Sequence, residues 1–268
     1  MALNLISETV GSGPPLVVLH GLFGSSGNWR GVARALAVSH TVVSVDLRNH
    51  GASPWADSMD YVEMADDVLQ LIDLLGLKRP TVMGHSMGGK VAMALALRHP
   101  ARIARLIVVD IAPVSYADTL TPFAEAMRSA NVVAAASRSE VQRRLQQAVP
   151  DDRVVPFLMQ NLVAHNDHFD WRLNLLGISL AMPQLCAFPT SLLGLRFDGP
   201  VAVIAGTNSN YVAQSGREAF QPMFSQAEVE FIDGAGHWVH ADQPAALVAS
   251  VRRVLQGDAQ SSIAAQVL

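Results

Sequence analysis

Apolar positions in the first 113 residues fall into short unbroken runs separated by longer stretches with helical spacing. Residues 16–19 (LVVL), 41–45 (TVVSV), 81–83 (TVM) and 106–109 (LIVV) are short, β-rich and bounded by turn residues, which predicts strands buried in a parallel sheet. Helices are predicted between them over 28–37, 61–75 and 88–98. The clearest is 61–75, where Val62, Ala65, Val68, Leu69, Ile72 and Leu75 form one stripe and Glu63, Asp66, Asp67 and Asp73 lie off it. This alternation predicts an α/β fold, a mostly parallel, doubly wound sheet covered on both faces.

The rhythm changes after residue 113. Residues 114–195 carry no obvious core strand, while 124–136, 140–148 and 157–163 have helical spacing. A compact domain does not hold eighty structureless residues, so a helical lid inserted between core strands is expected. Strand patterns resume at 201–205 (VAVIA) and 229–232 (VEFI), and a closing helix over about 244–255 begins with proline in its first turn. The expected division is therefore a core of 1–113 and 196–256, a helical cap of 114–195, and a loosely held tail of 257–268.

Composition narrows the classes. The 268 residues are half apolar and 16% charged, with 19 basic and 23 acidic residues and a formal charge of -4. That balance leaves no footprint for nucleic acid, and no basic cluster suggests an anionic membrane. The apolar run ending at Val109 is broken by Asp110 and is too short to cross a bilayer. The single cysteine, Cys186, excludes an internal disulfide, and the opening MALNLISETVGSG lacks a basic start followed by an apolar run. A cytoplasmic location is expected.

Gly84-His85-Ser86-Met87-Gly88 fits G-x-S-x-G between an apolar strand (TVM) and a helix (KVAMALAL). In that context the chain turns so sharply that side chains at both glycine positions would collide, and the serine hydroxyl stands exposed in a strained conformation. Ser86 is thus the candidate nucleophile, and the alternative is a plain structural turn. A serine needs a base, and histidine titrates in the right range. Of nine histidines, His237 is the candidate: it follows the last predicted strand across Gly234-Ala235-Gly236 and comes after the nucleophile in the chain. His85 is read as packing, His99 as a helix-end residue, and His165 and His168 as solvated positions without convergent metal ligands. No metal or other cofactor is required.

Two backbone N–H groups should stabilise developing negative charge. Met87, directly after the nucleophile, is one; Leu22, in the loop His20-Gly21-Leu22-Phe23-Gly24, is the other. His20 is expected to orient this loop, and Arg48 and Asn49 either brace it or lie at the surface.

The acid departs from the usual arrangement. In most hydrolases built on such an elbow it follows the strand here read as 201–205, yet that segment is Gly206-Thr207-Asn208-Ser209-Asn210-Tyr211, without a carboxylate. Asp110 is the candidate replacement, because it ends the strand after the nucleophile's helix and a buried carboxylate there needs a partner such as a histidine N–H. The alternative is a cap for Ile111-Ala112-Pro113. Asp198 precedes its strand, and Asp233 and Asp242 read as turn or helix-start residues. Ser209 could hydrogen-bond the Asp110–His237 pair.

HGLFGSSGNW, DLRNHGASP, GHSMGGKVAMALA, VVDIAPVSY, GTNSNYV and GAGHWVHADQP together resemble the α/β-hydrolase superfamily over nearly the whole chain, and within it the small-esterase branch typified by the bacterial esterase YbfF. In that branch the acid is also displaced to the aspartate of the DIAP segment, here Asp110. The resemblance implies hydrolysis of short acyl esters or acyl thioesters without a cofactor. The insertion matches least, with only Trp171-Arg172-x-Asn174 recognisable. Phe23, Trp238, Trp171 and Arg172 are candidates for the substrate pocket, with Phe123, Met127, Phe157, Met159, Leu162, Leu176 and Met182 for the inner face of the lid. Two rival functions remain: a serine-dependent C–C bond hydrolase, and a ligand-binding receptor on the same scaffold.

Overall fold

The computed structural model describes residues 2–212 and 214–265. Its first strand, β1 (Ser7–Val10), is antiparallel to β3 (Thr41–Val45), and every other pairing in the main sheet is parallel. The remaining strands of that sheet are β2 (Pro15–Leu19), β4 (Thr81–His85), β5 (Arg105–Val109), β8 (Val201–Gly206) and β9 (Ala227–Ile232), in the order β1-β3-β2-β4-β5-β8-β9. β2, β4, β5 and β8 are central and almost wholly buried, as their unbroken apolar runs require.

Helices cover both faces. On one side lie α2 (Tyr61–Leu74) and α3 (Met87–Arg98), which pack on each other. Asp60 starts α2 by accepting the Glu63 N–H at 2.8 Å. On the other side lie α1 (Arg30–Leu36), entered through a 3₁₀ turn at Ser26–Trp29, and α10 (Pro244–Ala265). α10 runs ten residues past its expected end, as far as Ala265, into the segment expected to be a tail. Residues 266–268 lie outside the described residues.

Between β5 and β8 the chain forms α4 (Thr121–Ser129), α5 (Arg138–Ala148), α6 (Val154–Leu158), a hairpin of β6 (Leu162–Ala164) and β7 (Phe169–Trp171), and α7 (Leu175–Cys186). The helix expected over 157–163 lies earlier, as α6, and a 3₁₀ turn at Met159–Asn161 leads from it into β6. α7 was not legible, because it is apolar on most faces and holds Pro183. Two short helices, α8 (Gln214–Phe220) and α9 (Val239–Asp242), complete the described chain.

Polar bonds tie this insertion to the rest of the core. The Tyr61 hydroxyl of α2 donates to Leu185 O at 2.6 Å and Asn174 N–H to Asn49 O at 3.1 Å, while within the insertion Tyr116 N–H donates to Cys186 O at 2.9 Å. Arg48 is neither a loop brace nor a surface residue. Its guanidinium is buried and forks onto Asp67 at 2.7 and 2.9 Å, which fastens β3's exit to α2. Asn49 instead meets the insertion, its Oδ1 accepting from Asn174 Nδ2 at 3.1 Å and from Ala56 N–H at 2.8 Å.

Candidate active site

Ser86 stands between β4 and α3 with φ 53 and ψ −119, a left-handed conformation that only a tightly constrained turn imposes on a serine. A Cβ at Gly84 would lie 2.0 Å from Gly88 O, and one at Gly88 would lie 2.5 Å from His20 O. The elbow thus exists only because both flanking positions are glycine. Asp110, at the end of β5, is also in the left-handed region (φ 52) and fully buried.

Three side chains from distant parts of the sequence meet here. The Ser86 hydroxyl donates to His237 Nε2 at 3.0 Å, and His237 Nδ1–H donates to Asp110 Oδ2 at 2.7 Å. The same carboxylate oxygen accepts from Ser209 Oγ at 2.5 Å, and Oδ1 accepts the Gly206 N–H at 3.1 Å. Asp110 is thereby compensated by three donors, which a buried carboxylate requires. Its β5 position brings it beside β8, so the loop after β8 supplies donors to the carboxylate in place of a carboxylate of its own. Asp198 is exposed ahead of β8; Asp233 and Asp242 serve turns, Asp242 accepting the Gly236 N–H at 2.8 Å.

Neighbouring rings hold the imidazole. Tyr211 stacks on His237 with centroids 4.0 Å apart and planes 24° apart, and Tyr116 fixes Tyr211 by donating to its carbonyl at 2.7 Å. His85 does more than pack: its Nε2–H donates to His237 O at 2.8 Å, so it anchors the backbone of the His237 loop. Burial, then the neighbouring His237 and His240, hold His85 well below the usual histidine range, and burial brings His240 down to about 4.

Leu22 and Met87, the expected oxyanion donors, line one cavity wall with Ser86. The Met87 N–H lies in the first turn of α3, where no intrahelical acceptor exists. The Leu22 loop is set by two histidines that burial keeps neutral. His20 Nε2 accepts the Leu47 N–H at 3.0 Å, while His50, lowered to about 3, accepts the Phe23 N–H at 3.2 Å. From the insertion, Asn161 Nδ2 donates to Phe23 O at 2.8 Å. Glycine at position 21 allows the approach, since a Cβ there would sit 2.9 Å from His85 Nδ1.

A cavity opens on Ser86 and is lined by Phe23, Phe123, Val154, Phe157, Leu158 and Trp238, among others. Phe23 and Trp238, two of the expected pocket residues, are part of this lining. Trp171 and Arg172 do not line it. Trp171 is packed inside the insertion with Nε1–H donating to Met127 O at 2.9 Å, and Arg172, next along the chain from β7, is exposed. Met127, Met159 and Met182 are likewise interior to the insertion, and Leu176 faces outward at 57% exposure. No role was expected for His50, Asn161, Lys90, Tyr116 or Tyr211, although His50, Lys90, Tyr116 and Tyr211 lie inside the motifs that carry the family resemblance.

The sheet, its order and the elbow define an α/β hydrolase. The model of the alpha/beta hydrolase fold family matches residues 14–158, and the chain belongs to that family. It is 41% identical over 239 residues to the sn-1-specific diacylglycerol lipase ABHD11 of Xenopus laevis, covering 86% of this chain and 76% of that protein. It is 35% identical over 261 residues to esterase YbfF of Escherichia coli (strain K12), covering 95% and 99%. Among solved structures, a marine microorganism esterase superposes with a TM-score of 0.90 at 32% identity, covering 94% of this chain and 99% of that one. Among the described residues, no helix is long and apolar enough to cross a membrane.

Proposed function

We propose that the protein is a serine hydrolase of carboxylic esters, with acyl thioesters as a second substrate class, acting through an acyl-enzyme on Ser86. The observation that carries this reading is the pair of distances at His237, 3.0 Å to Ser86 Oγ and 2.7 Å to Asp110 Oδ2. With Nδ1–H donated to the carboxylate, Nε2 is free to accept the serine proton as Oγ attacks the substrate carbonyl. Leu22 and Met87 N–H groups hold the oxyanion. His237 then gives the proton to the leaving alcohol or thiol as its bond to the acyl carbon breaks. Water, deprotonated by the same imidazole, releases the acid and restores Ser86. Asp110 fixes the tautomer and balances the imidazolium, and Ser209 holds Asp110 in turn.

Residues 114–195 act as a cap over this site, with Phe123, Val154, Phe157 and Leu158 as its contribution to the pocket. The names of the relatives, esterases and lipases, support ester hydrolysis as the chemistry. A cytoplasmic setting is supported by the lone thiol of Cys186. Intact-mass analysis after treatment with a fluorophosphonate tests the nucleophile. A single adduct on the native chain, absent in Ser86→Ala, is expected; an adduct that persists in Ser86→Ala contradicts the assignment.

A further inference from the structure

A second cavity meets Ser86 from another side, and its wall includes Met87, Lys90, Tyr61, Tyr116 and Cys186. Lys90 lies one helical turn beyond Ser86 and is 1% exposed. Its ammonium donates to Ala187 O at 2.8 Å and to Cys186 O at 3.2 Å, and lies 5.4 and 5.0 Å from the Tyr61 and Tyr116 ring centres. Among the described residues all of these partners are neutral, and two carbonyls use two of its three N–H donors. Burial lowers the amine to about 8, which leaves it mostly cationic at neutral pH. A buried cation without a counter-charge is costly, and here it faces a cavity that reaches the nucleophile.

Proton geometry assigns the two cavities to the two halves of an ester. The leaving oxygen must take its proton from His237, and His237 with Trp238 lines the apolar cavity. His237 is not part of the Lys90 cavity wall, so that cavity receives the acyl half. We propose that the Lys90 cavity selects acyl groups that end in a carboxylate, with the ammonium's remaining N–H and its charge as the recognition element. This rests on the serine-hydrolase reading above. Lys90 also ties the C-terminal carbonyls of α7 to α3, but a tether alone would alter turnover of all acyl groups alike.

Hydrolysis by the full chain of monobutyl succinate, glutarate and adipate, each against the neutral butyl ester of the same acyl length, tests this by titration of released acid. At least one monoester should exceed its neutral partner by about tenfold or more in kcat/KM. That ratio should collapse in Lys90→Met and partly return in Lys90→Arg, whatever happens to absolute turnover. No preference at any length, or a preference that survives Lys90→Met, overturns the proposal. If Lys90→Met does not fold, calorimetric titration of the Ser86→Ala protein decides: glutarate should bind more tightly than pentanoate, and equal or weaker binding overturns the subsite. Ester hydrolysis that persists in Ser86→Ala contradicts the serine reading, whereas Ser86-dependent hydrolysis without carboxylate preference contradicts only the subsite.

Discussion

Asp110 Oδ2 lies 2.7 Å from His237 Nδ1, although the carboxylate ends the strand next to the nucleophile's own and the loop after β8 has no acid. The end of β8 and that loop contribute Gly206 and Ser209 instead, both donating to Asp110. An amide at position 110 would present an N–H to a donor and leave the imidazole in the wrong tautomer. Asp110→Asn is expected to fold and to lose about 10³–10⁴ in kcat. Ser209→Ala removes one charge-assisted bond of three and should lose about ten- to a hundredfold. Steady-state kinetics on a short neutral ester checks both, and the ordering is the decisive feature.

Asn161 connects the insertion to the loop that carries Leu22, through its bond to Phe23 O. Asn161→Ala leaves that buried carbonyl without this donor, at a cost of about 1–3 kcal/mol. The expected outcome is a lower denaturation midpoint together with a lower kcat, because the Leu22 N–H loses its fixed position. A fall in stability with unchanged kcat would show that His20 and His50 hold the loop without Asn161.

Arg48 and Asp67 form a buried ion pair remote from the chemistry. Arg48→Met strands the Asp67 carboxylate beside a single remaining backbone donor, Leu3 N–H. Unfolding in urea should show a loss of about 3–5 kcal/mol. Asp67→Asn should be destabilising as well, and the double variant less so than the sum of the two singles.

Acid should unfold the protein early. His20, His50, His85 and His240 are all held below 6.5 by burial, His50 to about 3 and His240 to about 4. Below 6.5 the unfolded chain takes up protons that the folded chain refuses, so stability falls with pH. The loss is up to about 1.4 kcal/mol per pH unit for each histidine, and their contribution is fully present at pH 7.5. Urea unfolding at pH 7.5 and 5.0 should therefore differ by several kcal/mol. Agreement within about 1 kcal/mol would mean that these imidazoles are not held neutral.

The core was legible because its strands are buried on both faces: runs such as LVVL and LIVV admit few other structures, and β2 and β5 lie within one residue of their expected bounds. The elbow was legible because two glycines and a serine in fixed order carry a steric requirement that a short window displays. β1 was not, since SETV is an exposed edge strand without an apolar face. The hairpin of β6 and β7 is three residues a side, too short for any period to register. Trp171 misled because a large aromatic in an insertion suits a pocket as well as an interior, and only the packing of α4 decides between them. His50, Asn161 and Lys90 act through partners 27, 138 and 97 residues away, and no local pattern marks such pairs.

In the proposed function Ser86 attacks with His237 as its base. The most direct measurement is kcat/KM for a short neutral ester with the native chain and with Ser86→Ala, after folding of the variant is verified by circular dichroism. A fall of about 10⁴ or more is predicted. Retention of activity within about tenfold of the native value would contradict the account and place the reaction on other residues.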